Sequence, residues 1–420
     1  MKAALSTLAS VLVFSFVLST AVPVTAQSRP QRPDTKKTGD GKRNERPTPK
    51  TEAELLKEAE EKKRLEEEKN SVYVDDPIAV ETDIVSFDAV VYNKKSGQII
   101  TGLKKSNFQV FEDGVKKDIS NFTTPESPIT VTLLLEYSKW TETFGSAAGG
   151  YWEPGAYEAI RPVAQFLTRF IKPPDDYASV VAFDIRPTPI TDFTNDPQRI
   201  NQTINLLLRN RPAFRENNLF DSLKFTLYGG RGDSVVLDNE KEEKSDYLGM
   251  TAVRSKRRAV ILVASGIDTF SKINYGEIRK LIQQAGIPIY IISTGNLFYK
   301  KYEQYLDPSR VPVGSPDRMT FLQAKNQMNT FAKESGGAHF EMTFESEIPG
   351  YLESINGLLR SQYSMAYDLE KKHEPGKRYK LEVKVDVDGD GVTDDKAFVV
   401  QHRPYVLGPA LPEKGKNKSE

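Results

Sequence analysis

The chain has 420 residues, and its 58 lysines and arginines balance 58 aspartates and glutamates, so the formal net charge is zero. This balance gives no support for nucleic acid as a partner, because nucleic-acid-binding domains carry a basic surface. The chain has no cysteine, so disulfide bonds are excluded and stability has to come from hydrophobic cores. The length is enough for two or three domains after a polar N-terminal region.

The N-terminus has the pattern of a secretory signal peptide. A basic start, Met1-Lys2, precedes an apolar stretch over residues 3–22, and Val24 and Ala26 occupy the third and the first position before the expected cleavage point. This pattern predicts a cleaved signal over residues 1–26, with an uncleaved membrane anchor as the alternative. We therefore expect an exported protein, periplasmic, cell-surface or secreted, that does not span a membrane after cleavage.

A polar region separates this signal from the first domain. Residues 27–50 are rich in lysine, arginine and proline and have no aromatic residue, which predicts a disordered linker. Thr51-Glu52-Ala53-Glu54 has the form of a capping box, and it predicts a charged helix over residues 51–70. Few positions of this helix are apolar, so we expect a spacer, with a coiled coil as the alternative.

A small β segment is predicted next, over residues 80–127. Val85, Phe87 and Ala89 alternate with polar residues, as in a half-buried strand. Asp113-Gly114 between apolar runs predicts a hairpin. A segment of this size is too small to bury a good core by itself.

Residues 128–361 alternate between apolar runs and amphipathic segments, which predicts an α/β domain with a mostly parallel sheet covered on both faces. Strands are expected at 131–135, 179–183, 259–264 and 287–293, and helices near 156–171, 197–208, 219–228, 274–285, 320–334 and 345–361. A polar loop is expected over residues 229–256, and it contains the tripeptide Arg231-Gly232-Asp233.

A second β segment is predicted over residues 362–406, followed by a tail at 407–420. The two β segments flank the α/β domain, and each is too small to fold alone. We therefore predict one β-sandwich that is split by an inserted α/β domain, since insertion is tolerated where the ends of the insert lie close together. Two independent β modules are the alternative.

Several motifs in this order resemble the von Willebrand factor A-related (VWA-related) domain family first described from acidobacteria, over roughly residues 80–405. The matching segments are Ile99-Ile100-Thr101-Gly102-Leu103, Asn107-Phe108-Gln109-Val110-Phe111-Glu112-Asp113-Gly114, Leu219-Phe220-Asp221, the run from Ile261 to Thr269, and Glu334-Ser335-Gly336-Gly337. The resemblance implies a VWA-like domain of the Rossmann type. It also implies a domain that binds protein partners, in many relatives through one Mg²⁺.

The same resemblance implies that this metal-ion-dependent adhesion site is degenerate. Its Asp-x-Ser-x-Ser motif falls on Glu136, Ser138 and Trp140, its second-loop threonine on Asn217, and its third-loop aspartate on Ser265. Mg²⁺ prefers near-octahedral oxygen coordination, and an indole offers no lone pair. Mg²⁺ is therefore not expected here, and the alternative role of these polar residues is to cap loops.

Exposed aromatic residues are expected at the same edge of the sheet, where α/β domains form binding crevices. Tyr137, Trp140, Tyr151 and Trp152 lie in the segment that follows the strand at 131–135. Aromatic residues are enriched at the centres of protein interfaces. We expect them to bind a partner, and the alternative is that they fold a long loop onto the domain.

An aspartate-rich segment in the second β segment predicts a calcium site. Asp386, Asp388, Asp390 and Asp394 have the spacing of a calcium loop, but Ala397 stands where the last ligand is expected. The segment is similar, at the level of the motif, to loops of dockerin and thrombospondin repeats. A solvated hairpin turn is the alternative.

The sequence thus predicts an exported, non-enzymatic module that binds a protein or cell-envelope partner at the VWA edge. No Gly-x-Ser-x-Gly motif, Walker loop or dinucleotide fingerprint is present. A calcium-stabilised structural spacer is the first alternative, and a hydrolase with an unrecognised site is the second.

Overall fold

The computed structural model describes residues 84–138, 170–210, 216–236, 241–255, 257–306 and 317–409, together with 163, 166–168, 212 and 214. These residues all belong to one unit, Glu58–Glu420. The predicted signal peptide, linker and charged helix lie outside the described residues, as does nearly all of the predicted tail.

The described part of the chain contains both β-strands and α-helices, as predicted. The strands are β1 (Ile84–Asn93), β2 (Ile99–Ile100), β3 (Phe108–Glu112), β4 (Val115–Lys117), β5 (Ile119–Thr123), β6 (Ile129–Glu136), β7 (Tyr177–Phe183), β8 (Pro187–Thr194), β9 (Gly230–Val236), β10 (Lys241–Tyr247), β11 (Arg257–Ala264), β12 (Ile289–Ser293), β13 (His339–Glu341), β14 (Tyr363–Asp368), β15 (Arg378–Val385), β16 (Phe398–His402) and β17 (Tyr405–Leu407). The α-helices with defined bounds are α1 (Pro197–Arg209), α2 (Leu219–Tyr228), α3 (Tyr275–Ala285), α4 (Gly295–Tyr302), α5 (Arg318–Ser335) and α6 (Ile348–Arg360).

A six-stranded sheet with the order β13-β12-β11-β6-β7-β8 forms the α/β domain. Its neighbouring strands are parallel, except that β7 and the edge strand β8 are antiparallel. Every residue of β6 is buried, because hydrophobic clusters cover both faces of the sheet. The predicted α/β class with a mostly parallel sheet is confirmed.

Two antiparallel sheets pack against each other beside this domain. One has the order β16-β1-β14-β5 with β2 on β1, and the other has the order β17-β15-β3-β4. Both sheets combine strands from before and after the α/β domain. Their inner faces share one core, which includes Phe87, Val110, Tyr363 and Val383. The chain therefore forms a β-sandwich into which the α/β domain is inserted.

The two ends of the insertion are adjacent in the sandwich. Thr123, the last residue of β5, pairs with Ser364 on β14. Arg257 is fully buried at the start of β11. It donates to the carbonyl oxygen of Ser127 (2.7 Å), where the chain leaves the sandwich, and to that of Leu359, where the chain returns to it. The chain thus leaves and re-enters the sandwich at neighbouring positions.

The prediction of a polar loop over residues 229–256 is wrong, because β9 and β10 form an antiparallel hairpin there. Their sequences lack the apolar alternation by which strands are recognised. The hairpin is fixed at its end by Tyr247, whose ring stacks on those of Phe193 and Phe225. Tertiary packing and not strand periodicity therefore determines this element.

No helix among those described has the length and apolar composition that a membrane span requires.

Candidate functional site at the carboxyl edge of the sheet

The carboxyl edge of the six-stranded sheet brings together four polar residues from three loops. Glu136 ends β6, and Ser138 lies two residues beyond it. Asn217 precedes α2, and Ser265 follows β11. Each of the four is at most 2 % exposed. The structure therefore brings together the four residues on which the resemblance placed positions of the metal-site motif.

The carboxyl group of Glu136 accepts hydrogen bonds from the other three residues. Its Oε1 accepts from Ser138 Oγ at 2.8 Å and from Asn217 Nδ2 at 2.9 Å. Its Oε2 accepts from the backbone N–H of Ser265 at 2.6 Å. Both carboxyl oxygens therefore have protein donors, which is how a buried acid avoids an uncompensated desolvation cost.

Burial raises the pKa of Glu136, and the hydrogen bonds from Ser265, Ser138 and Asn217 offset part of that rise. A bound divalent cation would need lone pairs directed at it. Here Glu136 is the single carboxylate among the four residues, and N–H and O–H donors already face its oxygens. The buried Oδ1 of Asn217 has no hydrogen-bond partner among the described residues, but one amide oxygen is a poor substitute for an aspartate ligand. The donor set therefore does not fit Mg²⁺.

Backbone hydrogen bonds join the loops of this edge to one another. The carbonyl oxygen of Asn217 accepts from the N–H groups of Thr269 (3.2 Å) and Phe270 (2.8 Å). Asn296, in the first turn of α4, donates through Nδ2 to the carbonyl of Met342 beyond β13 (3.3 Å). The edge is consequently a connected set of loops that can present side chains in fixed positions.

Large apolar side chains are exposed on these loops. Of the nine large hydrophobic residues exposed among the described positions, four lie in loops or helix starts at the carboxyl edge. They are Phe214 before α2, Phe270 after β11, Met319 in the first turn of α5 and Phe344 after β13. Phe270 and Phe344 are 55 % and 65 % exposed. These four side chains lie at the edge of the sheet where α/β domains form their binding crevices.

None of these four residues was predicted from the sequence as part of the binding edge. A detectable signal was present for Phe270, because it follows the end of the predicted strand at 259–264 by a few residues. Phe344 follows β13, which was not predicted, so the sequence carried no such signal for it. Phe214 and Met319 had no such signal, since their exposure depends on how the loops and helices pack.

Of the predicted aromatic residues, Tyr137 is the one whose placement the structure describes. Its ring is half-buried against the core on one face of the sheet. Its hydroxyl donates to the backbone carbonyl of Leu207 at 2.8 Å and also to that of Asn210. Tyr137 thus ties the end of β6 to α1. The other predicted aromatic residues, Trp140, Tyr151 and Trp152, lie outside the described residues.

The aspartate-rich segment forms a turn between β15 and β16, away from the carboxyl edge. Carboxylate oxygens of Asp386, Asp388 and Asp394 lie within 4.8 Å of one another. Asp386 also accepts from the N–H groups of Gly389 (2.7 Å) and Gly391 (2.8 Å). Burial raises the pKa of Asp386, but these amides outweigh it and hold the pKa below its ordinary value.

Asp390, the fourth predicted ligand, is exposed and accepts from the N–H of Val392 at 2.7 Å. The cluster within 4.8 Å does not include it. The turn therefore places three of the four predicted carboxylates together. The fourth, that of Asp390, accepts a hydrogen bond from the backbone of the same turn.

No protein-family model matches the chain, and no curated protein matches it. Solved structures that resemble it include the mussel byssus proximal thread matrix protein 1 with a zinc-occupied adhesion-site motif. This match has 12% identity and a TM-score of 0.37, and covers 60% of this chain and 50% of that one. The chain thus spans about half the length of the mussel protein.

Two bacterial proteins are similar at comparable levels. A variant of the PilB minor pilin from Streptococcus sanguinis matches with 10% identity and a TM-score of 0.39, over 74% of this chain and 98% of that one. The vWF domain of the pilus tip protein Mfa5 from Porphyromonas gingivalis matches with 11% identity and a TM-score of 0.34, over 55% and 94%. We draw no functional argument from likeness at this level.

The strand order, the antiparallel edge strand and the polar residues at the carboxyl edge define a VWA-like α/β domain. The sandwich that carries it completes the architecture predicted from the sequence.

Proposed function

We propose that this protein is an exported, non-enzymatic binding module that engages a protein partner through the carboxyl edge of its VWA-like domain, without Mg²⁺. The observation that carries the proposal is the exposure of Phe214, Phe270, Met319 and Phe344 at this edge. The resemblance to the acidobacterial VWA-related family supports the partner-binding role and the degenerate state of the adhesion site.

The geometry of Glu136 supports a metal-independent interaction. In a metal-dependent adhesion site, the partner's carboxylate completes the coordination of the ion. Here the protein's own Ser138, Asn217 and Ser265 donate to the only carboxylate of the four. Binding energy at this edge would then come from burying apolar side chains, at about 25 cal/mol for each Å² removed from water. We include in this proposed binding surface the neighbouring loop, with the predicted aromatic residues Tyr137, Trp140, Tyr151 and Trp152.

The experiment is capture of partners from the exported fraction of the source cells. The bait proteins are the wild type, a Phe270→Ser/Phe344→Ser variant, and a Val115→Ser/Val392→Ser control that removes exposed apolar side chains elsewhere. Each bait is used with added Mg²⁺ and with EDTA. Substitutions of exposed residues change stability by about 0.5 kcal/mol or less. A difference in capture between the baits is therefore due to the altered surface and not to unfolding.

A protein held by the wild type and the control, lost from the phenylalanine variant and insensitive to EDTA supports the proposal. Equal capture by all three baits, or capture that EDTA abolishes, contradicts it. Retention of envelope polysaccharide in place of protein would favour an envelope ligand. Turnover of a captured component would favour the hydrolase alternative.

A second candidate function is a calcium-stabilised spacer. The observation in its favour is that Asp386, Asp388 and Asp394 bring oxygens within 4.8 Å of one another, in a loop with calcium-site spacing. Calcium bound only to the folded state would add about 2.7 kcal/mol at a hundredfold excess over Kd.

Calorimetric melting with calcium, magnesium or EDTA tests this candidate. Calcium should raise Tm more than magnesium, which fits a flexible loop poorly. Asp388→Asn should reduce the response, and Asp368→Asn, on an exposed position of β14, should leave it unchanged. A Tm that does not respond to millimolar calcium would show that the segment is only a turn.

A further inference from the structure

The beginning of β1 forms an open edge of the sandwich in the part of the chain that the structure describes. On one side, residues 84–89 of β1 pair with β14. On the other side, β16 pairs with residues 89–93 and leaves the preceding residues of β1 without a neighbouring strand among those described. An open edge of this kind presents N–H and C=O groups that can pair with a further strand.

The backbone of this edge points alternately to β14 and to the open side. The carbonyl oxygen of Ser86 accepts from Arg403 Nη2 at 2.6 Å, and Arg403 lies directly beyond the end of β16. Ser86 therefore faces the open side. Because backbone groups alternate in direction along an antiparallel strand, Ile84 and Asp88 face the same side. The carbonyl of Ser86 has a second lone pair, so it can still accept a bond from an added strand.

A cavity of about 500 Å³ lies along this open edge. Residues 84–88 form one wall of the cavity, and the end of α3 and β17 contribute to the others. The side chain of Ile84 is apolar and yet 48 % exposed. A strand added here would pair with the edge and would also remove part of Ile84 from water, which is favourable.

The chain itself carries a segment suited to this edge. Residues 72–76 read Val-Tyr-Val-Asp-Asp and lie outside the described residues. Valine and tyrosine are enriched in strands, and Pro77 follows, which ends strand pairing because it has no N–H. Residues 77–83 then connect this segment to β1. A connection of this length is enough for antiparallel neighbours, whereas parallel neighbours need about a dozen residues or more.

The C-terminal tail is less suited to the same edge. It leaves the described residues after Pro409, which also lines the cavity. Gly408 donates to the carbonyl of Lys377 at 2.9 Å, which continues the pairing of β17 with β15 in the other sheet. Beyond residue 411 the tail consists of a proline, a glycine and polar residues. Residues 72–76 are therefore the segment whose sequence and connection fit β1.

We infer that residues 72–76 pair antiparallel with residues 84–88 and form an additional edge strand of the sandwich along the cavity. The short connection gives the segment a high effective concentration at this edge. The added strand protects the edge from pairing with other chains. It also fixes the polar N-terminal region to the sandwich from residue 72 onward.

The lengths of the two segments set the register of this pairing. Pairing them end to end places Val74 opposite Ser86. Cross-strand neighbours share one face of a sheet, so Val72 and Val74 lie on the face where Ile84 is exposed. Tyr73 lies on the opposite face, where β1 packs on the core of the sandwich.

Amide hydrogen exchange, measured by NMR on the full chain, tests the inference. The amides of Ser86 and Asp88 face the open side, and they should exchange slowly in the wild type because the added strand accepts from them. Val74→Pro should accelerate their exchange about tenfold or more, since proline disrupts the middle of a pairing strand. The amides of Val85 and Phe87 face β14 and should stay slow in both proteins.

Ala79→Pro is the matched control, because it introduces the same residue in the connection between the two strands. It should change the exchange of the Ser86 and Asp88 amides by less than about twofold. Fast exchange of these two amides in the wild type overturns the inference, and so does unchanged exchange in Val74→Pro. If the amides that face β14 also become fast in Val74→Pro, that variant is unfolded and the cross-link described next decides.

A disulfide cross-link gives a second, independent measurement. The chain has no cysteine, so an engineered pair forms one defined bond. Val74→Cys/Ser86→Cys should close within the chain under mild oxidation, because opposite residues of antiparallel strands are close enough for a disulfide. Tyr73→Cys/Ser86→Cys is the control, and it should close about fivefold or more slowly, since Tyr73 points to the other face.

Equal rates of closure for the two cysteine pairs would mean that the segment is not paired with β1. A bond that forms only between two chains would mean that the strand comes from a second copy. Either result overturns the inference.

Discussion

At the residue scale, Glu136 illustrates how a charged side chain at a ligand position becomes part of the core. Its carboxyl group lies at the end of a fully buried strand and accepts from Ser138, Asn217 and Ser265. The three donors come from three different loops, so the side chain joins those loops. Its position could be predicted from the sequence, but its hydrogen-bond partners could not.

Glu136→Ala should lower the free energy of unfolding by roughly 2–4 kcal/mol, because it leaves three buried donors without an acceptor. Glu136→Gln should cost less, about 1–2 kcal/mol, since its amide oxygen still accepts from Ser138 and Asn217. Urea denaturation of the two variants measures the difference. Equal stability of both variants and the wild type would mean that water replaces the carboxyl oxygens.

Asp88, half-buried on β1, gives a pH-dependent prediction. Burial raises the pKa of this carboxyl from 3.8 to about 6, against the lowering effect of Ser364 and the nearby arginines. The folded protein therefore binds this proton more tightly than the unfolded chain does. The ionised carboxyl costs stability above about pH 6, and this cost disappears as the pH falls toward 3.8.

Asp88→Asn should consequently raise the free energy of unfolding at pH 8 by about 1–3 kcal/mol, and change it little at pH 4. The exposed Asp368→Asn serves as a control and should have a small effect at both pH values. Urea denaturation at the two pH values makes the measurement. A stabilisation that is the same at pH 4 and pH 8 would show that ionisation is not its cause.

At the element scale, the junction between α2 and the β9–β10 hairpin depends on two glycines in close contact. Gly229 and Gly249 both have positive φ angles, 73° and 76°. A Cβ atom on Gly249 would lie 2.1 Å from the backbone nitrogen of Gly229. The backbones therefore approach to a distance that no side chain permits, and this contact positions the hairpin.

Gly249→Ala should destabilise the protein by about 3 kcal/mol or more, since backbone strain and steric overlap both contribute. Gly102→Ala is the matched control, because Gly102 has a φ of 80° with nothing near the added Cβ. It should cost about 1 kcal/mol, from the backbone conformation alone. Thermal denaturation of the two variants compares these costs, and similar losses in both would show that the junction relaxes.

At the scale of the whole molecule, the sandwich is made of residues that are distant in the sequence. β1 pairs with β14 and β16, and β3 pairs with β15, so each sheet contains strands from both sides of the insertion. They alternate in the sheet β16-β1-β14-β5, and in the sheet β17-β15-β3-β4 they meet between β15 and β3. Neither half can complete a sheet alone. The pairing of Thr123 with Ser364 closes the sandwich where the α/β domain enters.

Joining residue 123 to residue 364 through a short Asn-Gly turn should therefore give a sandwich that folds without the α/β domain. The new connection would be a hairpin between adjacent antiparallel strands, a geometry that Asn-Gly favours. Circular dichroism and cooperative thermal unfolding would measure this. A chain with no cooperative transition would show that the sandwich requires its contacts with the inserted domain.

The sequence by itself determined the α/β class and the alternation of strands and helices, because these depend on hydrophobic periods of two and 3.6 residues. It favoured a split sandwich over two separate β modules, and the long-range pairing of strands decided between them. The sequence also placed Glu136 and Ser265 at one edge, since parallel strands end on the same side of a sheet, and the resemblance to the VWA-related family added Asn217. Only the tertiary structure decided the β9–β10 hairpin, whose polar strands carry no periodic signal and are fixed by Tyr247. It alone also decided which apolar side chains stay exposed at the carboxyl edge, because exposure depends on neighbours that are distant in the chain.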